Sequence, residues 1–353
     1  MARPPAQPGK ELLVPGLPDS WLAELGPQHG IVLSSRIRLA RNLEGYPFPT
    51  LGRPAPLADV LALLASRARK LPNFTSLDMY RLHPLETHLL VERHLISPAF
   101  AASNLPRSLF LSDDSQLSLM FNEEDHLRLQ CLLPGLQLEE AWTRAAATED
   151  FLAQELNFAF DEQFGYLTSC PSNLGTGLRA SAMLHLPALA WLQALESIFQ
   201  QVSQLGLTVR GIYGEGSPAS GHLVQVSNQV TLGPGETEIV AKIEAVCQQL
   251  IQYECNARQQ LLREQRLPLE DRCWRSLSIL REARILESQE AMEHLSMLRL
   301  GVDLQILPGI PLESLNEILV RIRPAGLQME SGHELSPPER DVVRARLLRE
   351  FLA

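Results

Sequence analysis

The chain has 353 residues, of which 45% are hydrophobic and 20% charged, and this is enough for two globular domains with separate cores. A formal net charge of −10 argues against broad nucleic-acid binding, and no run of about 18 apolar residues is present to cross a membrane. The five cysteines form no CxxC pair and no export signal is found, which excludes the common zinc motif and favours a reducing cytoplasm.

The N-terminal part is predicted to combine a tail, short helices and loops. Residues 1–15 are rich in proline and are predicted to form a disordered tail. Residues 18 to about 100 show short helical patterns between loops, among them an amphipathic helix over residues 57–71. Strands are predicted over residues 117–121 and 127–132, on either side of an acidic turn.

The pattern changes from mixed to helical near Gly235. Before that point the predicted elements are a helix at 136–158, a helix at 184–204 interrupted near Pro187, and strands at 207–212 and 223–232. After it the predicted helices cover residues 236–266, 269–286, 289–298, 312–321 and 337–352. We therefore predict an α+β fold, with a mixed domain at residues 16–250 followed by an all-α domain at residues 251–353.

Two arginines at alternate positions form the first candidate site. In the run Ser34-Ser35-Arg36-Ile37-Arg38, an extended backbone points Arg36 and Arg38 to one side, where two guanidinium groups suit a polyphosphate. Alone, this pattern is more typical of solvated surface arginines.

An acidic triplet, Glu123-Glu124-Asp125, is the second candidate site. A guanidinium group has a pKa above about 12 and must lose a proton before its nitrogen can attack phosphorus, so clustered carboxylates suit a guanidinium acceptor. In isolation such a triplet is usually a solvated turn.

A cysteine and a glycine-containing turn form the third candidate site. Cys170 precedes Pro171 and Ser172, and the Ser172 hydroxyl can donate a hydrogen bond to a thiolate. Gly175 and Gly177 allow a close backbone approach in the turn that follows. A single free cysteine is otherwise more often a buried packing residue.

These three segments, in this order, resemble the phosphagen (ATP:guanidino) kinases, and among them the bacterial protein-arginine kinases of the McsB type. The resemblance runs from about Val32 to about Gly233. It implies a catalytic domain built on an antiparallel-rich sheet flanked by helices, followed by the all-α domain. It also implies transfer of the γ-phosphate of ATP to arginine side chains of proteins. Because no metal-ligand motif is present, Mg²⁺ is expected to arrive bound to the nucleotide.

The resemblance assigns a role to each candidate residue. Glu124 is the base or orienting carboxylate, Glu215 is its partner on the substrate guanidinium, and Cys170 borders that site. The nucleotide site comprises Ser34, Ser35, Arg36, Ile37, Arg38, His94, Arg128, Arg179, Ala180, Ser181, Ala182, Met183, Arg210, Gly211, Ile212, Tyr213, Gly214 and Glu215. Pro218 stands where many members have an acidic residue, which implies a stiffer and less acidic substrate loop. Tyr213 stands where free-arginine kinases usually carry another arginine, which favours the protein-kinase branch.

A motif near the C-terminus, residues 340–345, resembles the RDxxRA motif of the same branch. It implies an allosteric phosphoarginine pocket formed by Arg340, Asp341, Arg344 and Ala345. On a helix Arg340 and Arg344 face one way, although an isolated hexamer of this kind is usually a solvated face.

The resemblance further implies a cytoplasmic homodimer that acts on proteins with exposed arginines, together with a heat-shock repressor, a Clp-type ATPase and an activator protein. Neither membrane nor direct nucleic-acid contact is expected. Two alternatives stay open. One is a kinase of a free guanidino metabolite such as arginine, and the other is a non-catalytic phosphoarginine-binding adaptor.

Overall fold

The N-terminal two thirds of the chain are built around an eight-stranded antiparallel sheet. The computed structural model describes residues 24–51, 54–211 and 220–353. The strands are β1 Val32–Arg41, β2 Phe74–Asp78, β3 Ser108–Ser112, β4 Leu117–Phe121, β5 Leu127–Pro134, β6 Phe160–Asp161, β7 Gly165–Tyr166, β8 Leu178–His185, β9 Leu207–Gly211 and β10 Leu223–Asn228. The order in the large sheet is β2-β3-β4-β5-β1-β8-β10-β9, whereas β6 and β7 form a separate ribbon.

Helices cover one face of the sheet and form the C-terminal third of the chain. They are α1 Pro54–Ala68, α2 Pro84–Glu92, α3 Pro98–Ala102, α4 Leu138–Ala153, α5 Pro187–Trp191, α6 Leu195–Gln204, α7 Glu236–Glu264, α8 Arg266–Glu282, α9 Ser288–Asp303, α10 Leu312–Arg321, α11 Pro324–Ser331 and α12 Pro337–Phe351. Among the described residues, no helix has both the length and the apolar character needed to span a bilayer.

Alternation along the central strands separates a core face from an open face. Ile37 and Leu39 of β1 are buried beside Ala180 of β8 and Leu129 of β5. Helices α4 and α7 pack against this face and complete the main core. Because successive side chains of a strand point to opposite faces, the intervening residues of β1 lie on the other side.

Helix α7 joins the sheet to the helical C-terminal part. The fully buried carboxylate of Glu254 accepts hydrogen bonds from the backbone nitrogens of Ala188 and Leu189, both at 3.0 Å, at the start of α5. Arg258, one turn later, pairs with Glu254 at 2.8 Å and also with Asp303 at the end of α9. The same helix therefore binds elements of both parts.

Several predicted elements are confirmed, and others are wrong. The strand at 117–121 and the helix at 312–321 are found with those bounds. The helix predicted to begin at Leu184 is wrong there, because Leu184 lies in β8 and pairs with Val32 and Val224. The interpretation of residues 18–100 as helices and loops missed β1 and β2.

Two predictions about domain organisation are not tested. The division between residues 250 and 251 stays a prediction, and Leu250 lies inside the continuous helix α7. The predicted disordered tail at residues 1–15 lies outside the described residues.

A buried ion pair fixes the end of β1. Arg41 donates from Nε and Nη2 to the two carboxylate oxygens of Glu149 on α4, at 2.5 and 3.0 Å. Its Nη1 donates to the carbonyl oxygens of Ala40 and Thr176 at 2.8 and 2.9 Å. The guanidinium carbon also lies 3.5 Å from the ring centroid of Tyr166. One side chain thus ties β1 to a helix and to the turn before β8.

We expect Arg41→Met to lower the free energy of unfolding by about 3–5 kcal/mol, because it leaves the Glu149 carboxylate buried without its partner. Urea unfolding followed by circular dichroism measures the loss. Arg266→Met is the matched control, because Arg266 pairs with Glu270 on the surface and should contribute no more than about 1 kcal/mol. An equal loss of unfolding free energy in Arg41→Met and Arg266→Met would contradict a stabilising role for the buried ion pair.

Candidate active site

Five arginines converge on the open face of the sheet. Arg36 and Arg38 lie on β1, Arg128 on β5, Arg179 on β8 and Arg210 on β9. Arg38 stands directly opposite Arg179 in the β1–β8 pairing. The sheet therefore presents guanidinium groups from four strands on one surface.

Burial and mutual repulsion oppose the positive charge on two of these arginines. Burial and the neighbouring Arg179 lower the pKa of Arg36 to about 10. Burial, and then Arg36, Arg179 and Arg128, hold the pKa of Arg38 well below its usual range. The Nε of Arg38 is buried and has no hydrogen-bond partner among the described residues. A bound polyanion would supply a partner for Arg38 Nε and negative charge beside these arginines.

The predicted nucleotide residues divide between the two faces of the sheet. Ser34, Ser181 and Met183 share the arginine face, as their register with β1 requires. Four others point to the core face and are not among the side chains that the structure brings together: Ser35, Ile37, Ala180 and Ala182. Ser35 instead uses its hydroxyl to donate to Gly135 O and to accept from Gln137 N, both at 2.8 Å.

His94 lies at one end of the arginine face. With Ser34 and Arg36 it lines a small cleft, whose other walls are Leu132, Ser181, Met183 and Gln225. The carbonyl oxygen of His94 accepts from Gln130 Nε2 at 2.7 Å. Burial, with Arg323 and Arg36, keeps the pKa of the imidazole well below its usual range, so the ring is neutral at physiological pH.

Sequence reasoning missed Gln225, Gln130 and Arg323 in this region. Arg36 Nη2 donates to Gln225 Oε1 at 3.1 Å. The strand register could have revealed Gln130 and Gln225, because Gln130 pairs with Arg38 and Gln225 with Arg210. No signal in the sequence indicates that Arg323, more than 200 residues later, reaches His94.

The acidic turn between β4 and β5 surrounds one of the arginines. Arg128 Nε lies 2.9 Å from Glu123 Oε2, and its Nη2 pairs with Glu124 and lies 3.3 Å from Asp125 Oδ2. Although burial opposes it, Glu123, Asp125 and Glu124 raise the pKa of Arg128. Glu124 is the most exposed of the three carboxylates, with 38% of its side chain accessible. It is therefore the one best placed to reach an acceptor.

Asp125 joins the acidic turn to the cysteine loop. It is fully buried, and its Oδ1 accepts from Asn42 Nδ2 at 2.8 Å and from Ser169 N at 2.7 Å. Ser169 immediately precedes Cys170, and Asp125 immediately follows Glu124. This hydrogen bond therefore connects the turn that carries the predicted base to the loop that carries the predicted thiol. The sequence analysis grouped Asp125 with the acidic cluster but did not find this role.

Cys170 lies partly exposed beside the hydroxyl of Ser172. The Sγ and Oγ atoms are 3.0 Å apart, which matches the hydrogen bond expected between them. Thr168 Oγ1 donates to Cys170 O at 2.8 Å and shapes the start of the loop.

Two glycines allow the cysteine loop to pack against its neighbours. Gly175 has φ +106°, and a Cβ there would lie 2.4 Å from Thr231 O. Gly177 has φ +62°, and a Cβ there would lie 2.5 Å from Arg41 Nη1. The close approach expected at these glycines therefore occurs against protein backbone and the buried Arg41.

Part of the predicted site lies outside the described residues. Gly211 ends β9 next to Arg210. The described residues stop there and resume at Ser220, so Ile212, Tyr213, Gly214, Glu215 and the departure at Pro218 lie outside them.

The C-terminal motif lies on α12, where Arg344 is buried. Its Nε donates to Ile322 O at 3.0 Å, and its Nη1 donates to Leu286 O at 2.8 Å and to Asp341 Oδ1 at 2.5 Å. Ala345 is also buried, whereas Arg340 is partly exposed. The two arginines of the motif are therefore in different environments: Arg344 connects three segments, and Arg340 lies at the surface.

Two family models match consecutive parts of this chain. The catalytic-domain model of the ATP:guanido phosphotransferases matches residues 58–257, and the model of the protein-arginine kinase McsB C-terminal domain matches residues 266–353. The protein-arginine kinases of Moorella thermoacetica and Symbiobacterium thermophilum are each 49% identical to this chain. Each alignment covers 94% of this chain, with 97% of the first relative and 96% of the second.

Solved structures with the same fold include guanidino kinases. Lombricine kinase has a TM-score of 0.59 and 24% identity, covering 70% of this chain and 71% of its own. The duplicated taurocyamine kinase from Schistosoma mansoni has a TM-score of 0.57 and 25% identity, covering 70% of this chain and 37% of its own. These likenesses confirm the predicted antiparallel sheet flanked by helices.

We expect Cys170 to be alkylated by iodoacetamide at neutral pH before three buried cysteines. Burial raises the pKa of Cys131 and Cys273 to about 12, and raises that of Cys247 further, so their thiolates are scarce. Time-resolved peptide mapping by mass spectrometry gives the order. Cys255, which is also partly exposed, is the internal reference for access alone. If Cys170 is modified no faster than Cys255, its reactivity would be explained by solvent access alone, and the prediction would be wrong.

Proposed function

The chain belongs to the ATP:guanido phosphotransferase family, and we propose that it transfers the γ-phosphate of ATP to arginine side chains of proteins. The observation that carries the proposal is the convergence of arginines from β1, β5, β8 and β9 on one face, next to a carboxylate turn and a cysteine loop. The arginines suit the phosphates of a nucleotide, and the carboxylate turn with the cysteine loop suits a cationic acceptor. Phosphoryl transfer to a guanidinium group needs both within one cleft.

The arginine face would hold the nucleotide by its phosphates. Arg36 and Arg38, whose pKa values burial and neighbouring arginines lower, would gain a counter-charge from the phosphates. Mg²⁺ suits this site as a companion of the phosphates, because the nearby carboxylates Glu123, Glu124 and Asp125 are all engaged with Arg128. The ion would neutralise charge on the β- and γ-phosphates while the arginines orient them.

Glu124 would act on the acceptor. In this structure it is bound to Arg128, so the active arrangement requires that a phosphate oxygen take over this arginine. Glu124 would then be released toward the acceptor guanidinium, orient it and accept the proton that leaves as the N–P bond forms. The bond between the γ-phosphorus and the β,γ-bridging oxygen breaks in the same transfer, and ADP leaves. We propose that Cys170 borders the acceptor and that Glu215 is the second carboxylate that binds its guanidinium group.

Protein arginine is favoured over a free guanidino metabolite. The relatives named protein-arginine kinase align over 94% of this chain, and the helical C-terminal part matches a domain model named for those kinases. We extend the proposal to a cytoplasmic enzyme that acts with a Clp-type ATPase, a heat-shock repressor and an activator protein. A homodimer through the helical part is consistent with the exposed apolar side chains of Trp274, Ile285 and Val342.

The proposal is tested by comparing acceptors. The purified protein with Mg²⁺-ATP should form acid-labile phosphoarginine on an unfolded, arginine-rich protein, and little or none on free arginine. Glu124→Gln should slow this transfer on the order of 10²- to 10⁴-fold, because it keeps the shape of the side chain and removes the proton acceptor. Mass spectrometry under non-acidic conditions identifies the product, and calorimetry confirms that the variant still binds ATP. Preferential turnover of free arginine would contradict the protein-kinase assignment, and near-normal turnover by the variant would exclude Glu124 as the base.

We also propose that residues 340–345 bind phosphoarginine, with Arg340 as the phosphate-binding side chain. Arg340→Ala should abolish calorimetric binding of free phosphoarginine without changing the unfolding temperature. Arg344→Ala should instead destabilise the helical part, because Arg344 is buried with three hydrogen-bond partners. Arg346→Ala, on the exposed side of the same helix, is the control and should alter neither property. Unchanged phosphoarginine binding by Arg340→Ala would contradict the proposal and would mean that Arg340 only faces solvent.

A further inference from the structure

Arg323, in the helical C-terminal part, reaches the cleft at the end of the arginine face. Its Nη1 donates to Glu92 O at 3.2 Å and lies 3.3 Å from His94 Nε2. A guanidinium group can donate hydrogen bonds but cannot accept them, so Nε2 of the imidazole is the acceptor. In a neutral ring the proton then resides on Nδ1.

The segment that carries Arg323 is fixed to the same turn by a second set of bonds. The carboxylate of Glu92 accepts from Ala325 N at 2.8 and 3.0 Å and from Gly326 N at 3.0 Å, at the start of α11. Close by, Val320 of α10 packs against Leu132, which also lines the cleft. The helical part thus contacts the surroundings of the cleft in three ways. Glu92 binds the start of α11, Val320 packs against Leu132, and Arg323 contacts His94.

His94 is held in an unusual backbone conformation at this junction. Its φ is +59°, in the left-handed region that non-glycine residues seldom adopt. Gln130 of β5 donates to its carbonyl oxygen, and Arg323 engages its ring. Neighbouring groups therefore fix both the backbone and the imidazole.

We propose that Arg323 is a positioning residue for the nucleotide: it fixes the imidazole of His94 as the neutral Nδ1–H form and so makes nucleotide binding depend on how the helical part is seated. This inference rests on the proposed function for the identity of the ligand, a nucleoside polyphosphate. It adds a residue from the helical C-terminal part to a site otherwise formed by the N-terminal part of the chain.

The charges around His94 support this role. Arg36 faces the imidazole from β1, Arg323 faces it from the segment before α11, and Gln130 of β5 is neutral. The Glu92 carboxylate on α2 is occupied by two backbone nitrogens, and burial raises its pKa. Burial and these two cations therefore oppose a second proton on the ring. Removal of Arg323 takes away one of these cations and its contact with Nε2.

The experiment compares four variants with the wild-type protein. Arg323→Met removes both charge and donor, Arg323→Lys keeps the charge with a single-point donor, and His94→Gln removes the group through which Arg323 is proposed to act. The fourth is the double variant of Arg323→Met with His94→Gln. Arg321→Met is the matched control, since Arg321 belongs to the same segment but pairs with Glu317 and Glu330 at the surface.

Two readouts apply to the full-length protein. ¹⁵N-histidine NMR, assigned with His94→Gln, reports the tautomer and titration of His94 without any ligand. Calorimetry with Mg²⁺-ADP between pH 6 and 8 reports nucleotide affinity without any acceptor. Absence of phosphoarginine formation by the wild type would refute the proposed function and leave both readouts intact, so the two failures are distinguishable.

In the wild type, His94 should show only the Nδ1–H tautomer and stay neutral over this range. Arg323→Met should mix the tautomers, move the titration of His94 upward in pH and weaken ADP binding about 5- to 10-fold, the scale of one hydrogen bond of this kind. Arg323→Lys should restore most of the affinity, and Arg321→Met should change nothing. In the His94→Gln background, Arg323→Met should cause no further loss.

The proposal is overturned if Arg323→Met weakens ADP binding equally with histidine or glutamine at position 94, because Arg323 would then act only through the stability of the segment. An unchanged tautomer and titration of His94 in Arg323→Met would overturn it as well. Thermal unfolding of each variant confirms that the compared proteins are folded.

Discussion

Repulsion between guanidinium groups on one face of a β-sheet is the constraint around which the catalytic part is built. Arg38 and Arg179 face each other across paired strands, at a spacing where like charges oppose folding. The opposite face provides the stabilisation, because the intervening residues of the same strands, such as Ile37 and Ala180, are fully buried. The strand period of two thus lets a single strand supply both the core and an anion site.

Among the described residues, the carboxylates beside this surface lie at the turn between β4 and β5. Glu123, Glu124 and Asp125 all engage Arg128, while Asp125 also holds the backbone of the cysteine loop. The site is therefore polarised, with excess positive charge along the strands and carboxylates at the turn. This polarity matches a reaction between an anionic donor and a cationic acceptor, since each substrate is drawn to a different end.

Sequence reasoning identified the site segments but could not resolve which side chains of neighbouring strands share a face. The motifs led to Arg36, Glu124 and Cys170 because each residue type has a chemical role that can be stated without coordinates. The alternation that placed Arg36 and Arg38 together also separates Ser34 from the core-facing Ser35, but the residues of β8 that share the arginine face depend on the register between the two strands. Contacts between distant segments, such as the one between Arg323 and the turn after α2, depend on tertiary packing and leave no local pattern.

The continuity of α7 limits how this protein can be divided. Glu254 lies beyond the middle of the helix, yet its carboxylate holds the first turn of α5, which belongs to the sheet-containing part. A fragment that ended at residue 250 would lose this cap, and a fragment that began at 251 would retain a buried carboxylate and Arg258 without Gly30, whose carbonyl oxygen Arg258 contacts at 3.3 Å. The catalytic sheet and the helical bundle are therefore joined by buried polar contacts that a cut after residue 250 would break. A domain exchange made with this chain would have to transfer the whole of α7 together with the surface that receives it.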